Sequence, residues 1–147
     1  ALASPGIKNM AETGSKDPLN REIDDALNNG TAFRKLSGNG IRVSPGTVRL
    51  TFQTHEDYPL VTLVSMIAPS PDWFVGTHSI NLFMNGTWIE EKIIDLYPYD
   101  SGTDSGTTYM SPDEPTIPPA PIFLIQTTPF FYNGKIVPLG TFTFTKI

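Results

Sequence analysis

From Thr31 to the C-terminus the apolar residues recur mainly at every second position, a spacing that fits one face of a strand and not of a helix. Residues 47–54 (TVRLTFQT) set Val48, Leu50 and Phe52 against Arg49, Thr51 and Gln53. Residues 60–68 (LVTLVSMIA) are almost continuously apolar, as expected of a central strand covered on both faces. Residues 79–84 (SINLFM) turn through Asn85-Gly86 into residues 88–97 (WIEEKIIDLY), a strong hairpin signal. Residues 121–127 (PIFLIQT) and 140–147 (GTFTFTKI) add two more strands, the last with Phe142 and Phe144 on one side. Fourteen prolines and twelve glycines, spread without a period, keep these strands short. Seven or eight of them predict an all-β antiparallel sandwich with no internal repeat.

Only the first thirty residues read as helical. Ser4 is placed to cap a helix that begins at Pro5 and stops at Gly14, with Ile7, Met10 and Ala11 on one face. Asp17, Pro18 and Gly30 repeat that logic around Leu19, Ile23 and Leu27, an apolar stripe that needs a larger surface beneath it. The helices are expected to pack on an edge or one end of the sandwich. A length of 147 residues predicts one domain, residues 1–147. Residues 111–121 (SPDEPTIPPAP) hold five prolines and read as a stiff, extended surface loop.

The net charge of −5, with no basic run longer than Arg34 and Lys35, argues against nucleic acid as a partner. No apolar stretch is long enough for a membrane helix. No signal peptide opens the chain, and a start at Ala1 is what a processed chain would have. The absence of cysteine removes disulfides and thiolate chemistry. Asn29 and Asn85 each open an Asn-Gly-Thr sequon, a glycosylation acceptor if the chain is secreted and otherwise a turn. The only histidines are His55, within the acidic turn THED, and His78. Neither has metal-binding spacing, and no nucleophile elbow or phosphate loop is present, so no enzyme is expected.

Residues 95–106 (DLYPYDSGTDSG) gather Asp95, Asp100 and Asp104 between glycines. Mutually repelling carboxylates in one loop are either solvated turn material or the ligands of a cation. Calcium takes six to eight oxygens from carboxylates, carbonyls and water, and loops meeting at one end of a sandwich can supply them. Asp100 and Asp104 lie four apart, and Asp72 in the PSPDWF segment (residues 69–74) offers a ligand from another loop. Glu90, Glu91 and Asp95 are further candidates.

Residues 68–76 (APSPDWFVG), 88–106 (WIEEKIIDLYPYDSGTDSG) and 111–118 (SPDEPTIP) closely resemble the spondin N-terminal domain family, the domain of F-spondin and mindin. The opening GIKNMAETGS and the closing PLGTFTFTKI also look like that family. The resemblance implies a C2-like antiparallel β-sandwich, secreted or extracellular, with Ca2+ at the loops of one end. Carried over motif by motif, Asp72, Asp100 and Asp104 are the implied ligands, while Asp95 lies nearer the strand and caps the turn. One departure stands out: a cysteine is expected near Leu82 and Phe83. Without that brace, the core or an oligomer interface must compensate.

Three partner classes follow. A protein or glycan would be recognised with calcium support, with an exposed Trp73-Phe74 pair as contact, although core packing is the alternative for one of the two rings. A lipophilic small molecule, pigment or lipid, would sit on a patch of Phe123, Phe130, Phe131, Tyr132, Phe142 and Phe144, unless these fill an ordinary core. A structural, homo-oligomer-forming module would bury the same patch against a second copy.

Overall fold

The computed structural model describes residues 1–147. Its centre is a four-stranded antiparallel sheet of β1 (Leu60–Met66), β2 (Trp73–Asn81), β6 (Pro98–Asp100) and β7 (Phe123–Leu124), in the order β1-β2-β6-β7. Three two-stranded ribbons complete the strands. β3 (Phe83–Met84) pairs with β4 (Thr87–Trp88), β5 (Glu91–Leu96) with β10 (Gly140–Thr145), and β8 (Phe131–Tyr132) with β9 (Lys135–Ile136). The result is an antiparallel β-sandwich with two short N-terminal helices, α1 (Pro5–Thr13) and α2 (Leu19–Asn28).

Alternation along β2 divides the interior in two. Trp73 and Val75 point to one side and pack with Ile67, Leu96, Ile125 and Phe130, against which Phe142 of β10 and Ile136 of β9 also lie. Phe74 points to the other side and meets Met10 and Ala11 of α1, with Leu19, Val64, Met66 and Tyr99 around them. The helices therefore cover one face of the central sheet and the β5–β10 ribbon the other.

The start and stop signals of α1 act as expected. The Ser4 hydroxyl accepts the Ile7 N–H at 3.2 Å, and Gly14 adopts φ +72° while its N–H closes on the Met10 carbonyl at 2.9 Å. In α2 the cap differs. Asp17 makes no side-chain cap; Pro18 occupies that position, and the stop falls at Asn29, one residue before Gly30. Its Glu22 instead reaches α1, where Oε1 accepts the Gly6 N–H at 2.7 Å and Oε2 accepts the Ser4 hydroxyl at 2.6 Å. A carboxylate at a helix N-terminus satisfies open amide donors and complements the dipole there. That contact fixes the two helices together.

Three strand expectations need correction. Residues 47–54 form no strand, and Val48 and Leu50 are exposed. β1 lies at the edge of its sheet, only half-covered, so its continuous apolar run did not mark a central position. Residues 88–97 split between β4 and β5, because β5 leaves the hairpin to pair with β10. The hairpin itself forms, with Asn85 at φ 55° and Gly86 at φ 76° closing a two-residue turn. Where a cysteine was expected, Leu82 is buried and the Phe83 and Trp88 rings lie 4.9 Å apart across the hairpin. Apolar packing occupies the place of the covalent brace.

Candidate metal centre

Asp72 ends the turn that delivers the chain into β2, and Asp100 ends β6. The ladder sets Trp73 opposite Asp100, so the two carboxylates leave neighbouring strands at the same end. The turn is held by Ser70, whose hydroxyl accepts the Trp73 N–H at 3.1 Å, and by the Ile67 N–H donating to the Trp73 carbonyl at 2.9 Å. Beyond Asp100, residues 101–106 fold back over Asp72. Its carbonyl accepts the Ser101 N–H at 3.1 Å.

Asp72 has no solvent exposure, and Asp100, Ser101, Thr103 and Asp104 are buried around it. One oxygen of Asp72, Oδ2, accepts from the Ser101 hydroxyl at 2.9 Å, the Thr103 N–H at 2.8 Å and the Asp104 N–H at 3.1 Å. The other, Oδ1, is buried with no hydrogen-bond partner. None of the molecule's ion pairs reaches this cluster. Burial, then the neighbouring Asp72 charge, and a hydrogen bond that the protonated Asp100 carboxyl gives to Asp72 push Asp100 from 3.8 up to about 6, although its Oδ1 accepts the Gly102 N–H at 2.7 Å. With Asp100 ionised, that shared proton is gone and the pair lacks a positive partner. An unpartnered buried carboxylate oxygen beside a carboxyl that resists ionisation is a local deficit of positive charge. Both features fit a hard cation.

Asp104 has a different place. Its Oδ1 accepts the Gly106 N–H at 2.7 Å and its Oδ2 the Glu114 N–H at 2.9 Å, so both oxygens bind loop backbone. Through Glu114 it ties the Gly-rich loop to the proline-rich segment, which also accepts and donates at Thr103 and Ser105. No three side chains among His, Asp and Glu converge on one point. A metal here would draw its remaining oxygens from backbone and water. Glu90, Glu91 and Asp95 are exposed on or next to β5, away from the cluster, and Glu90 pairs with Lys146 at 2.9 Å.

Gly102 holds the lid of this arrangement. It sits at φ +75°, its carbonyl accepts the Ala120 N–H at 2.8 Å, and a Cβ there would collide with the Ala120 carbonyl. Gly102→Ala is expected to cost about 2 kcal/mol, from positive φ and overpacking against backbone. Urea denaturation checks it; a loss within experimental error would mean that the two segments part freely.

The aromatic expectations are partly overturned. Trp73 and Phe74 are both buried, on opposite faces of β2, and form no exposed contact pair. Trp73 packs edge-on with Phe130 at 5.1 Å and Tyr109 at 5.3 Å, while Phe74 stacks on Tyr99 at 5.8 Å. Phe130 belongs to the same core, and Phe142 and Phe144 are half-buried. Phe123, Phe131 and Tyr132 remain exposed. Asn29 and Asn85 are exposed, at the end of α2 and in the β3–β4 turn. His55 stands in an exposed turn, 3.6 Å from Asp57, and His78 is exposed on β2.

Sequence reasoning missed Ser101 and Thr103, whose hydroxyls line Asp72. The D-S-G-T-D spacing was the available signal, since short hydroxylated residues between aspartates fold onto nearby carboxylates.

The family model Spondin_N matches residues 1–136. The chain is 39% identical to rat Spondin-2 over 116 residues, covering 78% of this chain and 35% of that protein. It is 32% identical to Xenopus laevis Spondin-1 over 156 aligned positions, 99% of this chain and 19% of that protein. Human Spondin-1 is 36% identical over 121 residues, 79% of this chain and 15% of that protein. The chain thus spans about a third or less of the curated relatives it matches. On the strength of a family match across nearly its whole length, this chain belongs to the spondin N-terminal domain family.

Proposed function

We propose that this chain is a non-enzymatic, extracellular binding module whose loop end takes a calcium ion and recognises a protein or glycan partner. Asp72 and Asp100 would hold the ion, while Asp104 shapes the loop and offers any remaining lone pairs. The observation that carries this reading is the buried, unpartnered Oδ1 of Asp72 beside Asp100. When bound, calcium would supply positive charge and orient loop oxygens toward a partner. Membership in the spondin family supports the extracellular setting, and no helix is long and apolar enough to cross a membrane. The reading of a lipophilic carrier loses support, because Phe130 lies in the core.

Isothermal titration of calcium-stripped protein is expected to show saturable uptake at up to millimolar calcium, and both Asp72→Asn and Asp100→Asn should abolish it. At a hundredfold excess over Kd the ion should add about 3 kcal/mol of stability. Asp100→Asn should therefore lower the Tm in saturating calcium, whereas in chelator at pH 7, where it removes a buried charge, it should raise it. No heat and no Tm shift in the unaltered protein would refute the cation. Glycan arrays run with and without chelator test the partner class separately.

A further inference from the structure

Residues 33–54 make no backbone–backbone hydrogen bond at all. Twenty-two successive residues without one is unusual beside a sheet, and this stretch is not simply polar linker. Ile41, Val43, Val48 and Leu50 are 55%, 76%, 39% and 44% exposed, and residues 47–54 retain the alternation of a strand. The segment is nevertheless anchored. Lys35 pairs with Asp24 at 2.6 Å and the Lys16 ammonium donates to the Gly38 carbonyl at 2.8 Å, while within the segment Arg34 donates to Gln53 at 3.3 Å. An anchored, strand-patterned segment with open amides and carbonyls is ready to add to a sheet edge.

Charge indicates which edge. All four charged side chains in residues 33–54 are basic (Arg34, Lys35, Arg42 and Arg49), although the whole chain carries −5. The body is thus acidic where the arm is basic. Of the candidate edges, β1 (LVTLVSM) has no charged residue, and β10 (GTFTFT) has none either. β5 has a ladder partner on one side only, β10; its residues Glu91, Ile93 and Asp95 place an exposed apolar side chain between two carboxylates on one face, while the other face carries the exposed Lys92 before Ile94 and Leu96, leaving the strand net acidic. Arg49 lies between Val48 and Leu50 in sequence, so in a strand it would project to the opposite face from them. In a ladder with β5, Arg49 would share the outer face with Glu91 and Asp95, and Val48 and Leu50 the inner face with Ile94 and Leu96. Opposite charges on cross-strand neighbours favour such a pairing.

We propose that residues 47–54 of one copy add as a strand to the open edge of β5 in a second copy, making this domain a self-associating module. Sedimentation equilibrium of the whole chain in physiological salt is expected to give a reversible dimer in the micromolar to submillimolar range. Arg42→Glu with Arg49→Glu should weaken it at least tenfold, and so should Glu91→Lys with Asp95→Lys. The two double variants, mixed, should associate with each other more tightly than either does with itself. A chain that stays monomeric at several hundred micromolar would overturn the proposal. So would failure of the mixture to recover association, which also covers loss of folding in either variant. Retention of a monomeric chain on immobilised heparin, lost in the Arg42/Arg49 variant, would reassign the basic arm to polyanionic glycans and equally overturn it.

Discussion

In calcium-free protein, the contribution of a single residue to stability is expected to fall as pH rises from about 4 to 7, by on the order of 1–2 kcal/mol once solvent screening is allowed for. Asp100 has its carboxyl raised from 3.8 to about 6, first by burial and second by Asp72. Between those values the folded state binds more protons than the unfolded one, so this contribution is complete below about 3.8 and is lost as pH rises through about 6. Other carboxylates of the chain act in the ordinary, opposite sense at acid pH. The informative quantity is therefore the difference between the unaltered protein and Asp100→Asn, followed by urea denaturation at several pH values. That difference should narrow toward acid pH and widen toward neutrality, with the variant the more stable at pH 7. Saturating calcium should reverse the ranking, because a bound cation favours the ionised carboxyl. Parallel profiles in chelator would show that Asp100 is solvated and unstrained.

Trp73→Ala should cost about 3–5 kcal/mol, the range for removing a buried aromatic from a core. Domains of this kind are stable by roughly 5–15 kcal/mol, so the loss amounts to a large share of the total, with no disulfide to limit it. Trp73 touches both Phe130 and Tyr109, and as the first residue of β2 it directly follows Asp72 in the chain while facing Asp100 in the ladder. The variant should therefore weaken calcium uptake as well as lower the Tm, whereas truncating exposed Tyr132 should do neither. A cost under about 1 kcal/mol would mean that the core on that side is looser than its packing indicates.

How much of this was legible in the sequence depended on how local each cause is. Ser4, Pro5 and Gly14 specify α1 through contacts within a few residues, and Asn85-Gly86 specifies its turn in the same way. Asn133-Gly134, with φ of 48° and 76°, closes the β8–β9 hairpin by an identical device. The burial of Phe74 was illegible, since it follows from α1 docking on a strand sixty residues later. The edge position of β1 was illegible because apolar content does not report order in a sheet, and here it did not report burial either, since no residue of β1 is fully buried. In the acidic cluster, spacing pointed to Asp100 and Asp104 sharing an ion with Asp72 joining from another loop, whereas the structure sets Asp72 beside Asp100 and turns Asp104 onto loop backbone. That division of labour was not legible, because it depends on which backbone amides happen to face Asp104.

If calcium is taken up as proposed, Asp104 fixes the loop end that would receive it. With both oxygens of Asp104 engaged by the amides of Gly106 and Glu114, the connectors are already fixed before any ion arrives. Their conformational freedom is surrendered when the chain folds and need not be surrendered again on capture. Uptake should then resemble the filling of a rigid socket, with a rate governed by shedding water from the ion rather than by rearranging the protein.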